Sequence, residues 1–509
     1  MVWNKQLNDR LEAESGTIRR DWGGRFPVAV VYPNSYRIGM SNLGVHALYA
    51  WLNGRNDFLA ERVFWDEAEL SSSGSLSIES RRPLTDFSLL AFSVSWELDY
   101  LNLPRMLKAA GLPPRASERD ESQPLVIGGG APLTANPAPV ASFFDAIAIG
   151  EAEAILPALT RVLPGLTGLN RTAQLEILAD LPGLYVPGIS TRPVPRVHPA
   201  ELDEFPVSTA VFTTDTEFGD SLLLEVQRGC RFACRFCLVA RAFCPFRWRS
   251  TASLLKQAAA GRRYRERVAL VGPVVSEHPD IVALLRGLRQ MGYGLSMSSM
   301  RVKPLSPEVL AELVAGGVKS LSIAPEAGNA PLRKSLGKSF SDDEVVEAVE
   351  LVGASGIRQL TLYAMAGLPG ESDDDIASLA KLVLRCKAKA EKYRLVLSLN
   401  VSAFIPKPQT PFERQPMADA SQIEKRLEML TRTLSPHGIK VKPDNVDWGL
   451  VQAALSRGDE RLAPVIEQID RGSLAGWRRA MKQQDLSTAD YAQRRFDNNE
   501  PLPWNMVEM

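Results

Sequence analysis

Between Leu222 and Phe404 one pattern recurs: a short apolar run, an amphipathic stretch, then another apolar run. The runs Leu222–Val226, Val268–Val271, Gly294–Ser298, Ser320–Ala324, Gln359–Met365 and Val396–Phe404 have the length of strands. Between them lie segments such as "PDIVALLRGLRQMG", "SPEVLAELVAGG" and "SDDEVVEAVELVGASG". Several open on Ser or Asp and close on Gly, the residues that cap helices. A strand followed by a helix returns to a parallel neighbour. Six such units therefore predict a partial (β/α)6 TIM-like barrel, whose chemistry sits at the C-terminal ends of its strands.

A second series precedes it. "FPVAVVYP", "LLAFSVSW", "PLVIGGG" and "FDAIAIG" alternate with amphipathic stretches from Arg25 to about Leu156, the pattern of a Rossmann-like doubly wound sheet. No G-x-G-x-x-G follows the first strand, which argues against a dinucleotide site. Six prolines between Pro182 and Pro206 rule out a sustained helix there. After Phe412 the sequence turns helical and charged, as in "SQIEKRLEMLTRTL". The expected organisation is α/β: a Rossmann-like domain over 1–180, a Pro-rich linker over 181–218, the barrel over 219–412 and a helical C-terminal region over 413–509. A length of 509 residues suits about three domains at ~100–200 residues each.

Lys and Arg number 59 and so do Asp and Glu, which excludes a broadly basic nucleic-acid coat while leaving room for a local groove. The N-terminal "MVWNKQLNDRLEAESG" has no apolar leader core, and no apolar run approaches the ~20 residues of a membrane span. A cytoplasmic protein away from membranes is expected. Five cysteines in this length do not make a disulfide framework.

Four of those cysteines lie in "CRFACRFCLVARAFC", Cys230 to Cys244. Cys230, Cys234 and Cys237 form C-x3-C-x2-C just past the first barrel strand. Three thiolates on one loop can converge on one metal centre. A structural zinc normally draws a fourth ligand from a second Cys or His pair. The four histidines (His46, His198, His278, His437) are scattered, and Cys244 is a distant fourth candidate. A 4Fe-4S cluster on three cysteines keeps one iron open. Cys386 sits in a helical stretch and reads as packing. Arg228, Arg231, Arg235, Arg241, Arg247 and Arg249 flank the loop, either as cations for an anionic cluster or as a solvated basic face.

This spacing after a first barrel strand, with Phe236 before the last Cys, resembles the signature of the radical S-adenosylmethionine (SAM) superfamily. The resemblance implies that the open iron chelates SAM and that one electron cleaves it to a 5′-deoxyadenosyl radical. It implies SAM contacts at later strand ends: Gly272 and Pro273 near the amino group, Ser299 and Arg301 at the barrel mouth, and Glu326 at the ribose. Gly367 and Leu368 of "GLPGE" would pass the adenosyl group, and Phe404 and Ile405 would bond adenine through their backbone.

The N-terminal strand ends resemble the cobalamin-binding domain of cobalamin-dependent radical enzymes. The residues this implies at the cofactor are Tyr36, Gly39, Met40, Ser41 and Asn42, then Ser93, Ser95 and Glu97, then Gly128, Gly129 and Asn136, and finally Gly150, Glu151 and Glu153. The D-x-H-x-x-G motif that ligates cobalt in many cobalamin proteins is missing, and His46 falls in a helical pattern. Cobalamin would then bind with its lower face unligated or held by another group; the alternative is a Rossmann-like domain used for docking. "AALSRGDERLAPVIEQI" and "NNEPLPWNM" extend the resemblance to a bacterial family of cobalamin-type radical proteins over nearly the whole chain. Trp448, Trp477 and Trp504 read as packing anchors.

The expectation is a radical SAM enzyme, oxidoreductase or transferase, that modifies an unactivated carbon, with methyl transfer as the outcome where cobalamin is present. An electron donor such as flavodoxin or ferredoxin is implied. The substrate is a small molecule or RNA, since "FIPKPQTPF" also resembles the barrel end of transfer-RNA methylthiotransferases. A non-catalytic metal-binding scaffold is the remaining alternative.

Overall fold

Seven strands of an open arc and six of a separate sheet organise the chain, in a computed structural model that describes residues 9–66, 76–297 and 299–509. Residues 1–8 of the polar N-terminus and Ser298, the end of the expected third barrel strand, lie outside the described residues.

The chain divides into two compact units: residues 1–221, 455–487 and 500–509 form one, and residues 222–454 and 488–499 the other. The first unit is built on β1 (Phe26–Tyr32), β2 (Phe58–Phe64), β3 (Leu89–Ser93), β4 (Leu125–Gly129), β5 (Ala146–Ala148) and β6 (Leu184–Tyr185). They run in the order β2-β1-β3-β4-β5-β6, parallel except for β6. The Rossmann-like expectation holds, with two strands added, β2 and β6. The strand β2, "FLAERVF", escapes a hydrophobicity reading because Glu61 and Arg62 interrupt it, yet all seven residues are buried. Their charges are answered internally. Arg62 bonds Glu79 at 2.7 Å and Glu14 at 2.7 Å, and the Trp22 indole N–H donates to Glu61 at 2.9 Å.

The Pro-rich stretch is not a free-standing linker. It supplies β6, and β7 (Val194–Pro195), which pairs with a C-terminal strand, Val507–Glu508. Its prolines fall in extended and turn backbone, where a fixed φ and a missing N–H cost little.

The second unit carries β8 (Ser221–Glu225), β9 (Gln227–Arg228), β10 (Arg247–Trp248), β11 (Arg267–Val271), β12 (Gly294–Met297), β13 (Ser320–Glu326), β14 (Gln359–Ala366), β15 (Val396–Ala403) and β16 (Lys440–Pro443). Sheet β12-β11-β8 meets sheet β13-β14-β15-β16 through a bridge between Met300 and Ile323, where the Met300 N–H donates to Ser322 at 2.8 Å. Six strands of this arc stand where the alternation placed them; β16 is a seventh. Among the described residues the arc does not close into a barrel.

Helices dominate after Phe412 (Ala420–Leu434, Val446–Arg457, Leu462–Glu467, Leu474–Gln483 and Thr488–Ala492). They do not form a region of their own, being divided between the two units, and β16 lies among them. Trp477 and Trp504 are buried as packing anchors. No helix of the described residues is long and apolar enough to cross a membrane.

Candidate functional site

The cysteine loop begins where β8 ends. Gln227 and Arg228 pair antiparallel with Trp248 and Arg247, so β9 and β10 clasp the two ends of the loop. Gly229, at φ +70°, lies at the crossing of its arms: a Cβ there would meet the Phe243 and Pro245 carbonyls, the latter at 2.9 Å. A second segment, Ser335–Lys338 after β13, braces the loop from outside. The Arg235 N–H donates to the Leu336 carbonyl at 2.9 Å, and Gly337, at φ +83°, would place a Cβ 2.9 Å from the Ala233 carbonyl.

Cys230, Cys234 and Cys237 stand in one another's electrostatic field. Burial pushes the Cys230 and Cys237 thiols up, and backbone N–H groups oppose this, from Phe232 at Cys230 and from Val239 and Ala240 at Cys237. N–H groups aimed at sulfur are what an iron–sulfur cluster requires of its loop. No three His, Cys, Asp or Glu side chains among the described residues already form a ready metal-ligand group. The donor set still fits a three-cysteine cluster: soft ligands on one clasped loop, with N–H groups at two of the sulfurs. Cys244 is exposed, and Cys386 is fully buried, its thiol pushed up to about 12 by that burial.

The arginines flanking the loop mostly hold the loop itself. Arg228 and Arg249 both bond Glu225, at 2.8 and 2.5 Å; Arg231 pairs with Glu277; Arg235 lies 4.7 Å over the Phe412 ring; Arg247 bonds the Pro245 carbonyl at 3.1 Å. The cations whose fields reach the Cys230 sulfur are Arg301 and Lys338. Arg301 was expected at the barrel mouth, and its guanidinium sits 3.4 Å over the Phe232 ring inside the cysteine loop. Lys338 has no strong sequence signal; only its place in "SLGK", twelve residues past Glu326, pointed toward it.

Glu326 ends β13 at a bulge, with φ +67°. A bulge re-aims a side chain, and a left-handed non-glycine residue is strained, a combination common at functional sites. Lys338 bonds the Glu326 carboxylate at 2.7 Å and the Ala324 carbonyl at 2.9 Å. Buried Arg333 fixes the next turn through the Ala327 carbonyl at 2.9 Å.

Three of the expected SAM residues meet in one apolar cluster. Leu368 and Phe404 pack with Ala327, Leu332, Leu336 and Phe412, and Phe236 of the cysteine loop leans on it. The Phe404 N–H already donates to the Ala366 carbonyl at 2.9 Å, so an adenine could be bonded there only through the Phe404 carbonyl or Ile405. Gly367, at φ +82°, is held by the Glu371 carboxylate at 2.6 Å, and Arg426 bonds Glu371 at 2.9 Å. Burial pushes Glu371 up to about 7 against the pull of that amide and of Arg426. The Glu of "GLPGE" is thus a brace for its turn. Gly272 leaves space for the Gln227 side chain, 2.8 Å from a Cβ position; Pro273 is half-buried and Ser299 exposed.

In the six-stranded sheet the chain leaves β1 toward β2 on one side, and β3 lies on the other. Such a reversal is a topological switch point, where open α/β sheets bind ligands. The Asn42 amide donates to the Ser95 hydroxyl at 2.6 Å, bridging the ends of β1 and β3. Ser41, Ser93, Gly129 and Gly150 are half-buried there. Other expected cofactor residues serve the interior. Tyr36 donates to Glu14 at 2.6 Å, Met40 is buried against Arg62, and Asn136 donates to the Ser456 and Gly458 carbonyls. Gly39 leaves room for Phe64, Gly128 for Phe144, and Gly150 for the Val197 backbone. Glu97, Glu151 and Glu153 are buried. His46 is a core residue that bonds the Met40 carbonyl at 3.0 Å, and full burial takes it down to about 4.

Comparison with known proteins adds the following. Residues 44–187 match the N-terminal region of radical SAM proteins, and residues 224–383 match the radical SAM superfamily. An uncharacterized protein of Methanocaldococcus jannaschii is 29% identical over 444 residues, covering 86% of this chain and 90% of that one. The ribosomal protein uS12 methylthiotransferase RimO of Syntrophobacter fumaroxidans is 27% identical over 215 residues, 38% of this chain and 45% of its own. The radical SAM methyltransferase TsrM of Kitasatospora setae, solved with cobalamin and a 4Fe-4S cluster, superposes with a TM-score of 0.56 at 13% identity, over 91% of this chain and 98% of that one. The cobalamin-dependent radical enzyme OxsB, solved with aqua-cobalamin and SAM, gives 0.54 at 14% identity over 91% and 71%. At these identities the two structures establish a shared fold.

Proposed function

We propose, for a chain that belongs to the radical SAM superfamily, an enzyme that holds a 4Fe-4S cluster on Cys230, Cys234 and Cys237, SAM across the strand ends of the open arc, and cobalamin at the switch point of the six-stranded sheet. Its reaction is methyl transfer to an unactivated carbon. The observation that carries this is the clasped cysteine loop packed, through Phe236, onto the same cluster that gathers Leu368 and Phe404. Cobalamin in TsrM and OxsB, each of which superposes over 91% of this chain, supports a corrinoid in the first unit.

When bound, the cluster supplies one electron for cleavage of SAM to methionine and a 5′-deoxyadenosyl radical, and cobalamin supplies the methyl group. The Phe232, Val239 and Ala240 N–H groups steady the sulfurs as thiolates. Arg301 and Lys338 place positive charge on the Cys230 side, which favours electron entry. Leu336, Leu368, Phe404 and Phe412 keep water from the loop. Lys338 fixes the Glu326 carboxylate, the residue that would accept from ribose hydroxyls when SAM is bound. Asn42 and Ser95 offer polar groups at the switch point.

Anaerobically reconstituted protein should take up iron, absorb broadly near 400 nm and release 5′-deoxyadenosine on reduction with SAM. Cys234→Ala should abolish both the iron and the product. Retention of cobalamin, read from its visible spectrum, tests the methyl-transfer assignment. An iron-loaded wild type that releases no 5′-deoxyadenosine overturns the radical chemistry.

A further inference from the structure

Strands β13 to β15 alternate buried and accessible residues without a break. The buried set, Leu360, Leu362, Leu397, Leu399 and Val401 among it, faces the helices packed on the outside of the arc. The opposite face of a TIM-type barrel would be filled by branched apolar side chains. Here, between Val396 at one end and Met365 near the other, it carries Thr361, Tyr363, Ser398, Asn400 and Ser402, and the Thr361 and Ser398 hydroxyls meet at 3.1 Å.

Parallel register carries this face onto the seventh strand. Ser398 is opposite Lys440, and Asn400 opposite Lys442. Tyr363 is opposite Asn400 on the other side. One row across three strands therefore reads Tyr363, Asn400, Lys442. With strands ~4.8 Å apart the row spans about 10 Å, the length of one ring plus an anionic substituent. Three observations mark it as unfilled. Tyr363 is 38% exposed. The Asn400 Oδ1 is buried and accepts no hydrogen bond among the described residues. Lys440 and Lys442 are exposed, with no carboxylate on this face of β14, β15 or β16. A carbonyl oxygen withdrawn from water without gaining a donor is unfavourable, and a ligand N–H or O–H reaching it would relieve that cost.

We propose that this face is the substrate platform and that it takes a small planar anion, a ring compound bearing a phosphate or carboxylate. Lys440 and Lys442 hold the anionic group, Tyr363 stacks on the ring, and Asn400 Oδ1 accepts an N–H or O–H of the ligand. This rests on the radical SAM assignment for its catalytic meaning but not for its geometry.

Pyridoxal 5′-phosphate is a suitable probe: a planar phosphorylated aldehyde whose carbonyl condenses with a lysine amine, losing water, and is fixed by borohydride. The full-length protein is labelled at low reagent concentration and mapped by mass spectrometry. Lys442 or Lys440 should label at least ~10-fold faster than exposed Lys381 and Lys425. Pyridoxal, lacking the phosphate, should lose that preference, and Asn400→Leu and Tyr363→Leu should each reduce it. Protection by phosphate but not acetate identifies a phosphate ligand, and the reverse a carboxylate; either supports the platform. Labelling of Lys440 and Lys442 at the reference rate overturns it, as does protection by a short RNA but not by a nucleoside monophosphate. Cys234→Ala should keep the labelling pattern, so a chain that labels selectively yet releases no 5′-deoxyadenosine separates this proposal from the radical reading.

Discussion

The two sheets of this molecule use the same parallel β/α grammar to opposite ends. In the first unit β1 and β2 are buried along nearly their whole length, on both faces. In the second unit β14 and β15 bury every other residue and leave the remainder accessible. Parallel sheets usually have both faces covered. The first sheet obeys, and half-buried residues such as Ser41 and Ser93 lie at its strand ends. The second departs from the rule, because an arc left open keeps a whole inner wall available. One unit offers a crevice, the other a surface.

The contrast can be broken most severely at Arg62. Replacing it with Ala strands the Glu14 and Glu79 carboxylates in the interior, which should cost about 3–5 kcal/mol and reduce the yield of folded protein, read by denaturant titration. Single-residue truncations sharpen it. Leu89→Ala and Leu90→Ala, on opposite faces of β3, should each cost about 2–5 kcal/mol, whereas on β15 only truncations on one face, such as Leu397→Ala or Leu399→Ala, should do so. A pH series probes the first unit again. His46 is held neutral, with its pKa down to about 4, so its contribution is complete above about pH 6.5 and is lost as pH falls toward 4. That loss amounts to about 3 kcal/mol, and His46→Gln should flatten stability across that window. Gly337→Val, strained at φ +83° and pressed on the Ala233 carbonyl, should cost about 1–3 kcal/mol, with lower iron uptake as its particular signature. Ser398→Ala, on the open face, should shift stability by less than about 0.5 kcal/mol.

What the sequence disclosed follows the same division. Six barrel strands and four strands of the first sheet are legible because their apolar runs are bounded by helix caps and turns. The strand β2 is hidden by two charges whose partners lie outside the strand: Trp22 and Ser80 for Glu61, Glu14 and Glu79 for Arg62. The strand β16 is hidden because "KVKP" is short and polar, as an edge strand is. At the site the C-x3-C-x2-C spacing, Phe236, Glu326, Leu368 and Phe404 are legible as motif members. The flanking arginines are open between cations for an anionic cluster and a solvated basic face, and their carboxylate partners, Glu225 for Arg228 and Arg249 and Glu277 for Arg231, are not legible from sequence proximity to the cysteines. Several glycines of the first unit owe their place to rings and backbone packed against them, which no local pattern records. Lys338 reaches Cys230 and Glu326 only through tertiary folding.

The β9–β10 clasp has a consequence for assembly. Bringing together the ends of a flexible segment as long as Gly229–Phe246 costs on the order of 2–3 kcal/mol in chain entropy. The two-strand pair meets that cost with backbone bonds of its own, so the spacing of Cys230, Cys234 and Cys237 is set within one closed stretch of chain.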